Sequence, residues 1–169
     1  MGYLLRHPRW VPAAIAIVSA AALAIALAAQ YLGGLRPCVL CEYQRYAYAA
    51  ALLCALAGLS AGFRATARRW AVALAGLSLL AGAAIAFYHV GVEQHWWLGT
   101  DACRAAGFDP NITAAQLREQ MRTEDFAPCD RVAWSLLGIS IAGYNFLASL
   151  GIGVATLWAA ARMGPGRAA

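Results

Sequence analysis

Five cysteines carry most of the chemistry open to this 169-residue chain: Cys38, Cys41, Cys54, Cys103 and Cys129. The first two form Cys38-Val39-Leu40-Cys41, a C-x-x-C pair whose spacing lets the sulfurs close a small ring that exchanges with other thiols. Zinc sites and structural bridges use the same spacing. A zinc site wants four ligands, however, and the chain has no second C-x-x-C, while Glu42 after Cys41 excludes a haem-type C-x-x-C-H. The pattern therefore requires no metal. The pair lies where the chain enters a long apolar block, so a thiolate there is favoured by a helix N-terminus and by Arg45 one turn further on. Glu42 works the other way, since a carboxylate tends to raise the pKa of a neighbouring thiol.

Cys103 and Cys129 lie 26 positions apart in the longest polar stretch of the chain, between about residues 90 and 138. A bridge between them would staple that stretch, an ordinary device outside the cytoplasm. Beside a C-x-x-C on the same face they have a second reading, because two dithiol/disulfide pairs can pass electrons to each other by thiol exchange. Cys54 falls within an apolar block and reads as an inert packing residue.

The elements that must position these sulfurs are membrane helices. Hydrophobic residues make up 62% of the chain and charged residues 12%, against about 45–50% and 25% in a soluble domain. The excess is gathered in blocks at about 12–32, 44–63, 71–89 and 139–161, lengths that cross a hydrocarbon core of roughly 30 Å at 1.5 Å per residue. The blocks lack the polar stripe of a buried helix in a soluble bundle. The first could serve as a signal peptide, but it is longer than a usual apolar core of one, and it is expected to remain as a helix. The fold class is thus all-α, a four-transmembrane-helix bundle in a single membrane domain, with extramembrane segments at about 33–43 and 90–138.

Charge fixes the sidedness. All 13 basic residues are arginine; Arg6 and Arg9 precede the first span, Arg64, Arg68 and Arg69 separate the second and third, and Arg162 and Arg167 follow the fourth. These segments, and with them both termini, are expected to face the cytoplasm. The eight acidic residues all fall on the other side, together with four of the cysteines. The net charge of +5 is accounted for by topology and anionic lipid, not by nucleic acid. In the larger outer segment, Thr113 followed by Gln116 resembles a capping box opening a short amphipathic helix that ends near Arg122.

Electrons entering a two-pair relay need an acceptor, and a lipid-soluble quinone is available at the membrane edge. Few polar groups lie at that depth: Gln44, Arg45, Tyr46 and Tyr48 open the second span, His89 ends the third, and Glu93 lies just beyond it. Arg45 or His89 could stabilise charge developing on quinone or thiolate.

The combined pattern resembles the DsbB family, quinone-dependent disulfide bond formation proteins of the bacterial inner membrane. The resemblance runs through Pro37-Cys38-Val39-Leu40-Cys41, Gln44-Arg45, Tyr88-His89-Val90-Gly91-Val92-Glu93, Trp96-Trp97, Cys103, Pro128-Cys129-Asp130, Trp134, Leu137-Gly138 and Tyr144-Asn145, covering essentially the whole chain. It implies an electron route. Cys103 and Cys129 would accept electrons from a periplasmic DsbA-like thioredoxin-fold oxidase, with Cys103 attacked first. Cys38 and Cys41 would pass them to ubiquinone or menaquinone, with Cys41 facing the quinone and Arg45 interacting with it; His89, Gln44 and Glu93 are further cofactor-binding candidates. The resemblance leaves open whether Cys129 attacks the Cys38–Cys41 disulfide or a Cys41–Cys129 intermediate forms. It implies a multi-pass protein of the inner membrane, monomeric, with periplasmic cysteines. The rival readings are a noncatalytic scaffold with structural disulfides and a thiol–quinone enzyme resembling vitamin K epoxide reductase, whose cysteine pairs would be placed differently along the helices.

Overall fold

The computed structural model describes residues 9–60, 64–100, 103, 113, 115–116 and 127–163. The apolar blocks fold as α1 (Trp10–Tyr31), α2 (Val39–Leu59), α3 (Ala65–Glu93) and α4 (Ile141–Arg162). Three of them, α1, α3 and α4, are long and apolar enough to cross a membrane. With 21 residues α2 matches α1 and α4 in length, but it carries Glu42, Gln44 and Arg45 in its first two turns. The protein is a four-helix membrane bundle.

Helices adjacent in the chain pack against each other, α1 on α2, α2 on α3 and α3 on α4, whereas α1 makes little contact with α4. Small residues permit the close approach. Ala51 and Ala55 of α2, Ala75 of α3 and Ala160 of α4 are buried with Ile15, Val72 and Leu79 in one apolar core. Between membrane helices dispersion and fit replace the hydrophobic effect, so backbones brought together by alanine and glycine are the source of cohesion. Cys54 packs at the edge of this core, apart from the other cysteines.

A second apolar cluster caps one end of the bundle and holds Cys38, Leu40, Val92, Cys103 and Cys129. Two local devices shape that end. After α3 the chain folds back so that the Trp97 ring stacks on Tyr88, its Nε1 donating to the Tyr88 carbonyl at 2.9 Å. The ring lies flat over Gly91, where a Cβ would stand 2.0 Å from it, so only glycine permits the fold-back. Ahead of α4, β1 (Ser135–Leu136) and β2 (Ile139–Ser140) form an antiparallel hairpin in which Leu136 pairs with Ile139. Its turn residues Leu137 and Gly138 both have positive φ, 51° and 79°, as a two-residue turn matching strand twist demands. The hairpin delivers Ser140 as the N-cap of α4, its hydroxyl accepting from the Gly143 amide at 3.1 Å.

Of the expected helix in the large segment, the capping box is present: the Gln116 amide donates to Thr113 Oγ1 at 3.3 Å, and Thr113 N donates to Gln116 Oε1 at 3.0 Å. The remainder of that helix, to Arg122, lies outside the described residues.

Candidate active site

Helix α2 starts at Val39, so Cys38 is its N-cap and Cys41 lies in its first turn. The Cys38 sulfur does the work usually done by a serine oxygen, accepting from the Cys41 amide at 3.3 Å. This folds the C-x-x-C back on itself and brings the two sulfurs to 3.0 Å. All five cysteines are thiols in this structure.

The second pair is laid on the first by backbone. The Ala127 amide donates to the Pro37 carbonyl at 3.1 Å, fastening the segment before Cys129 to the segment before Cys38, and Cys129 N donates to the Cys103 carbonyl at 3.2 Å. The Cys129 sulfur, fully buried, consequently touches two others: it is hydrogen-bonded to Cys38 on one side and to Cys103 on the other. The four sulfurs form a continuous series, Cys103 to Cys129 to Cys38 to Cys41.

The four are electrostatically unequal. Hydrogen bonding from Cys38, then from Cys103 and the Leu40 amide, holds the Cys129 thiol down at about 6 in spite of burial. Cys38 is pushed well above the ordinary thiol range, chiefly because it is the donor in its contact with Cys129. Burial, with the Cys129 contact second, raises Cys103. Of the outer pair, Cys129 is therefore the sulfur that carries negative charge.

His89 reaches this cluster from α3. Its Nε2 stands 3.5 Å from Cys38 Sγ and the ring also contacts Cys41. On its other side Nδ1 meets Gln44 Nε2 at 3.1 Å. Gln44 Oε1 accepts from Asn145 of α4, and Asn145 Oδ1 accepts from the Tyr48 hydroxyl at 2.8 Å. Glu93, one turn beyond His89, places Oε1 3.8 Å from His89 Nε2 and accepts from the Ser140 hydroxyl through Oε2. Polar groups at this depth are costly unless partnered, and here each named group has a partner.

Arg45 points the other way, toward α1. It donates to Gln30 Oε1 at 2.5 Å, to the Ala26 carbonyl at 3.3 Å and to Glu42 Oε2 at 3.2 Å. The Glu42 carboxylate is thus turned to a guanidinium, which counters the charge expected to oppose the thiolates. Cys38, Cys41, Gln44, Arg45, His89 and Glu93 all line one cavity of about 590 Å³ between α1 and α4, whose walls are otherwise mainly apolar. A flat ligand with polar edges and an apolar tail, such as a quinone, fits that lining.

The site candidates Cys38, Cys41, Cys103, Cys129, Gln44, Arg45, His89 and Glu93 are therefore brought to one end of the bundle, and Cys54 is not. Gln30, Ser140 and Ser149, which hydrogen-bonds Tyr48, were not anticipated. The available signal was a polar side chain in or beside an apolar block, which in a membrane helix points inward or to a partner.

The family model "Disulfide bond formation protein DsbB" matches residues 8–159. Among curated proteins, a disulfide bond formation protein B from Herminiimonas arsenicoxydans is 38% identical over 111 residues, 65% of this chain and 65% of that protein. Proteins of the same name from Stutzerimonas stutzeri and Polaromonas naphthalenivorans are each 32% identical, the first over 83% of this chain and 86% of its own length, the second over 95% of both. No solved structure matches. Four cysteines in contact at the end of a membrane bundle, beside an apolar cavity, agree with these matches, and the chain belongs to the DsbB family of membrane thiol–quinone oxidoreductases.

Proposed function

We propose that the protein reoxidises a periplasmic thioredoxin-fold dithiol oxidase and delivers the electrons to membrane quinone through the four cysteines, with both termini cytoplasmic. The observation that carries this reading is the position of Cys129, in contact with Cys103 and Cys38 at once.

In the oxidised protein Cys103 is bonded to Cys129 and Cys38 to Cys41. A thiolate of the partner attacks Cys103 and expels Cys129. This direction is favoured because the Leu40 amide bears on Cys129 and stabilises it as the leaving thiolate. Cys129 thiolate then attacks Cys38, the sulfur it already touches, and expels Cys41. The geometry thus favours a Cys38–Cys129 bond over the Cys41–Cys129 alternative. The partner's second thiol resolves its bond to Cys103 and leaves oxidised. Cys103 thiolate attacks Cys129, restoring the outer disulfide and releasing Cys38. The dithiol of Cys38 and Cys41 faces the cavity, where ubiquinone or menaquinone accepts two electrons and two protons as the inner disulfide re-forms. The net change is one partner dithiol to disulfide and one quinone to quinol.

His89 and Arg45 divide the remaining work. His89 touches both inner sulfurs and lines the cavity, so it can take a thiol proton and hold it on the quinone side. Arg45, with Gln44 one residue before it, offers donors where negative charge develops on a quinone oxygen. The arginine is held by Gln30 and Ala26, so little reorganisation is needed on binding.

The test is anaerobic mixing of purified protein, reduced partner and quinone, following quinone absorbance with Cys38→Ser and Cys103→Ser variants. Quinol should form with the unmodified chain and with neither variant. A folded protein and a competent partner that give no quinol would sink the assignment, and the scaffold reading would stand.

A further inference from the structure

The geometry points to a second state of the reduced cluster: a redox-gated site for a zinc-class divalent cation, bound by Cys38, Cys41 and His89, with water in the fourth position. The Sγ atoms of Cys38 and Cys41 and a ring nitrogen of His89 all lie within 4.8 Å of one another. A tetrahedral ion with S at about 2.3 Å and N at about 2.1 Å separates sulfur from nitrogen by about 3.6 Å and sulfur from sulfur by about 3.8 Å. The Cys38 to His89 distance of 3.5 Å already meets the first requirement, and the Cys38 to Cys41 distance of 3.0 Å meets the second after a small rotation of either side chain.

The imidazole is also oriented as a metal-binding histidine is. Nε2 faces the sulfurs, and Nδ1 is held by Gln44, itself fixed by Asn145. With the Gln44 and Asn145 amides turned together, Gln44 Oε1 accepts from Nδ1–H, Gln44 Nε2 donates to Asn145 Oδ1, Asn145 Nδ2 donates to the Tyr48 hydroxyl, and His89 Nε2 is left as a free lone pair. The site exists only in the reduced protein, because a disulfide between Cys38 and Cys41 withdraws both thiolates. Binding M²⁺ to two thiols and a neutral imidazole releases up to two protons, changes no oxidation state, and holds the sulfurs away from disulfide chemistry. Excess zinc would therefore arrest the protein in its dithiol state. The inference needs the reduced sulfurs alone and no part of the electron route, so either reading can fail without the other.

The probe is cobalt(II), added to the full chain in detergent after anaerobic reduction and removal of the reductant. One equivalent should bind, with thiolate-to-cobalt charge transfer and the intense visible bands of a tetrahedral ion, both bleached by zinc. The same chain with its disulfides formed should give neither. His89→Ala should weaken binding at least tenfold, His89→Cys should keep a tetrahedral spectrum with stronger charge transfer, and Cys54→Ser should change nothing. Equal binding by the oxidised chain, or affinity and spectrum unaltered by His89→Ala, would overturn the proposal, the latter leaving an ordinary dithiol contact only. A variant that fails to fold does not protect the idea, since the oxidised and reduced forms of the unmodified chain already decide it.

Discussion

At the scale of single residues the sulfurs are distinguished by their neighbours. Cys129 is poised as thiolate by two thiol donors and an amide, and it bears on Cys38 alone of the inner pair. Removing Cys103 should let Cys129 attack unopposed, so a Cys103→Ser chain is expected to accumulate a Cys38–Cys129 bond with Cys41 free. Maleimide labelling and peptide mass mapping read this directly, and label on Cys38 instead of Cys41 would reverse the order of attack. The pH dependence carries a sign. In the fully reduced protein, where Cys38 and Cys103 are thiol donors, the Cys129 thiol is held below the ordinary value of 9.0, at about 6, so its thiolate is nearly fully formed at neutral pH and lost as pH falls through 6. In metal-free buffer the rate at which Cys129 of the fully reduced protein attacks a small disulfide should be nearly flat from about pH 8 to 7 and fall about tenfold per unit below 6, where an ordinary thiol would already lose about tenfold between 8 and 7. Arg45 is expected to act through quinone affinity. Arg45→Ala removes hydrogen bonds of a charged donor, worth about 1.5–3 kcal/mol where they bear on the ligand, and should raise the quinone KM by about tenfold or more while leaving the KM for the partner dithiol unchanged. Arg45→Lys should recover little, because a point charge cannot span Gln30, Ala26 and Glu42 together.

Among elements, the pairing of α3 with α4 sets how His89 and Asn145 converge on Gln44. Two glycines make that pairing possible. A Cβ at Gly153 would stand 2.8 Å from Leu80 Cδ2 and 3.2 Å from the Leu80 amide nitrogen, and one at Gly76 would stand 2.9 Å from Leu157. Gly151, one helical step away from Gly153, faces open space. Gly153→Val should therefore cost about 1–3 kcal/mol through overpacking, lowering the thermal midpoint in detergent, while Gly151→Ala leaves it in place or raises it slightly. Equal effects at the two positions would show that the helix contact is not what these glycines serve. The hairpin ahead of α4 offers a change of opposite sign. Leu137 is 90% exposed and has φ of 51°, a conformation that asparagine tolerates better than leucine. Leu137→Asn should leave Ser140 on Glu93 and modestly raise stability.

For the whole molecule, the order of helices and the presence of two cysteine pairs beside them were legible in the sequence because both are one-dimensional signals: blocks about 20 residues long, and a cysteine spacing. What was not legible is whatever depends on how segments lie on each other. Nothing in the spacing says that Cys129 meets Cys38, which follows from one backbone bond between Ala127 and Pro37. Equally, Glu42 reads as hostile to its neighbouring thiols until Arg45 is seen to turn it aside. The same holds for the seam between α1 and α4. Helices adjacent in sequence pack closely, but the first and last do not close the ring. The cavity holding the inner cysteines lies in that gap, and a further apolar hollow of about 430 Å³ lies along it, between Trp10 to Val18 of α1 and Gly151 to Ala159 of α4. Under the proposed function this seam is the route a quinone would take from the membrane, while the partner dithiol would arrive at the Cys103 end, so the two substrates would not compete for one doorway. Ala26 of α1 and Ala148 of α4 line the cavity from opposite walls. Enlarging either, as Ala148→Trp, should obstruct quinone and leave the sulfurs untouched. Steady-state kcat/KM for quinone should drop by about tenfold or more, as loss of about 1.4 kcal/mol or more of binding requires, while one turnover's worth of partner oxidation by the disulfide-loaded protein proceeds at its normal rate. If both fell together, the α1/α4 seam would be a structural contact rather than the quinone's way in.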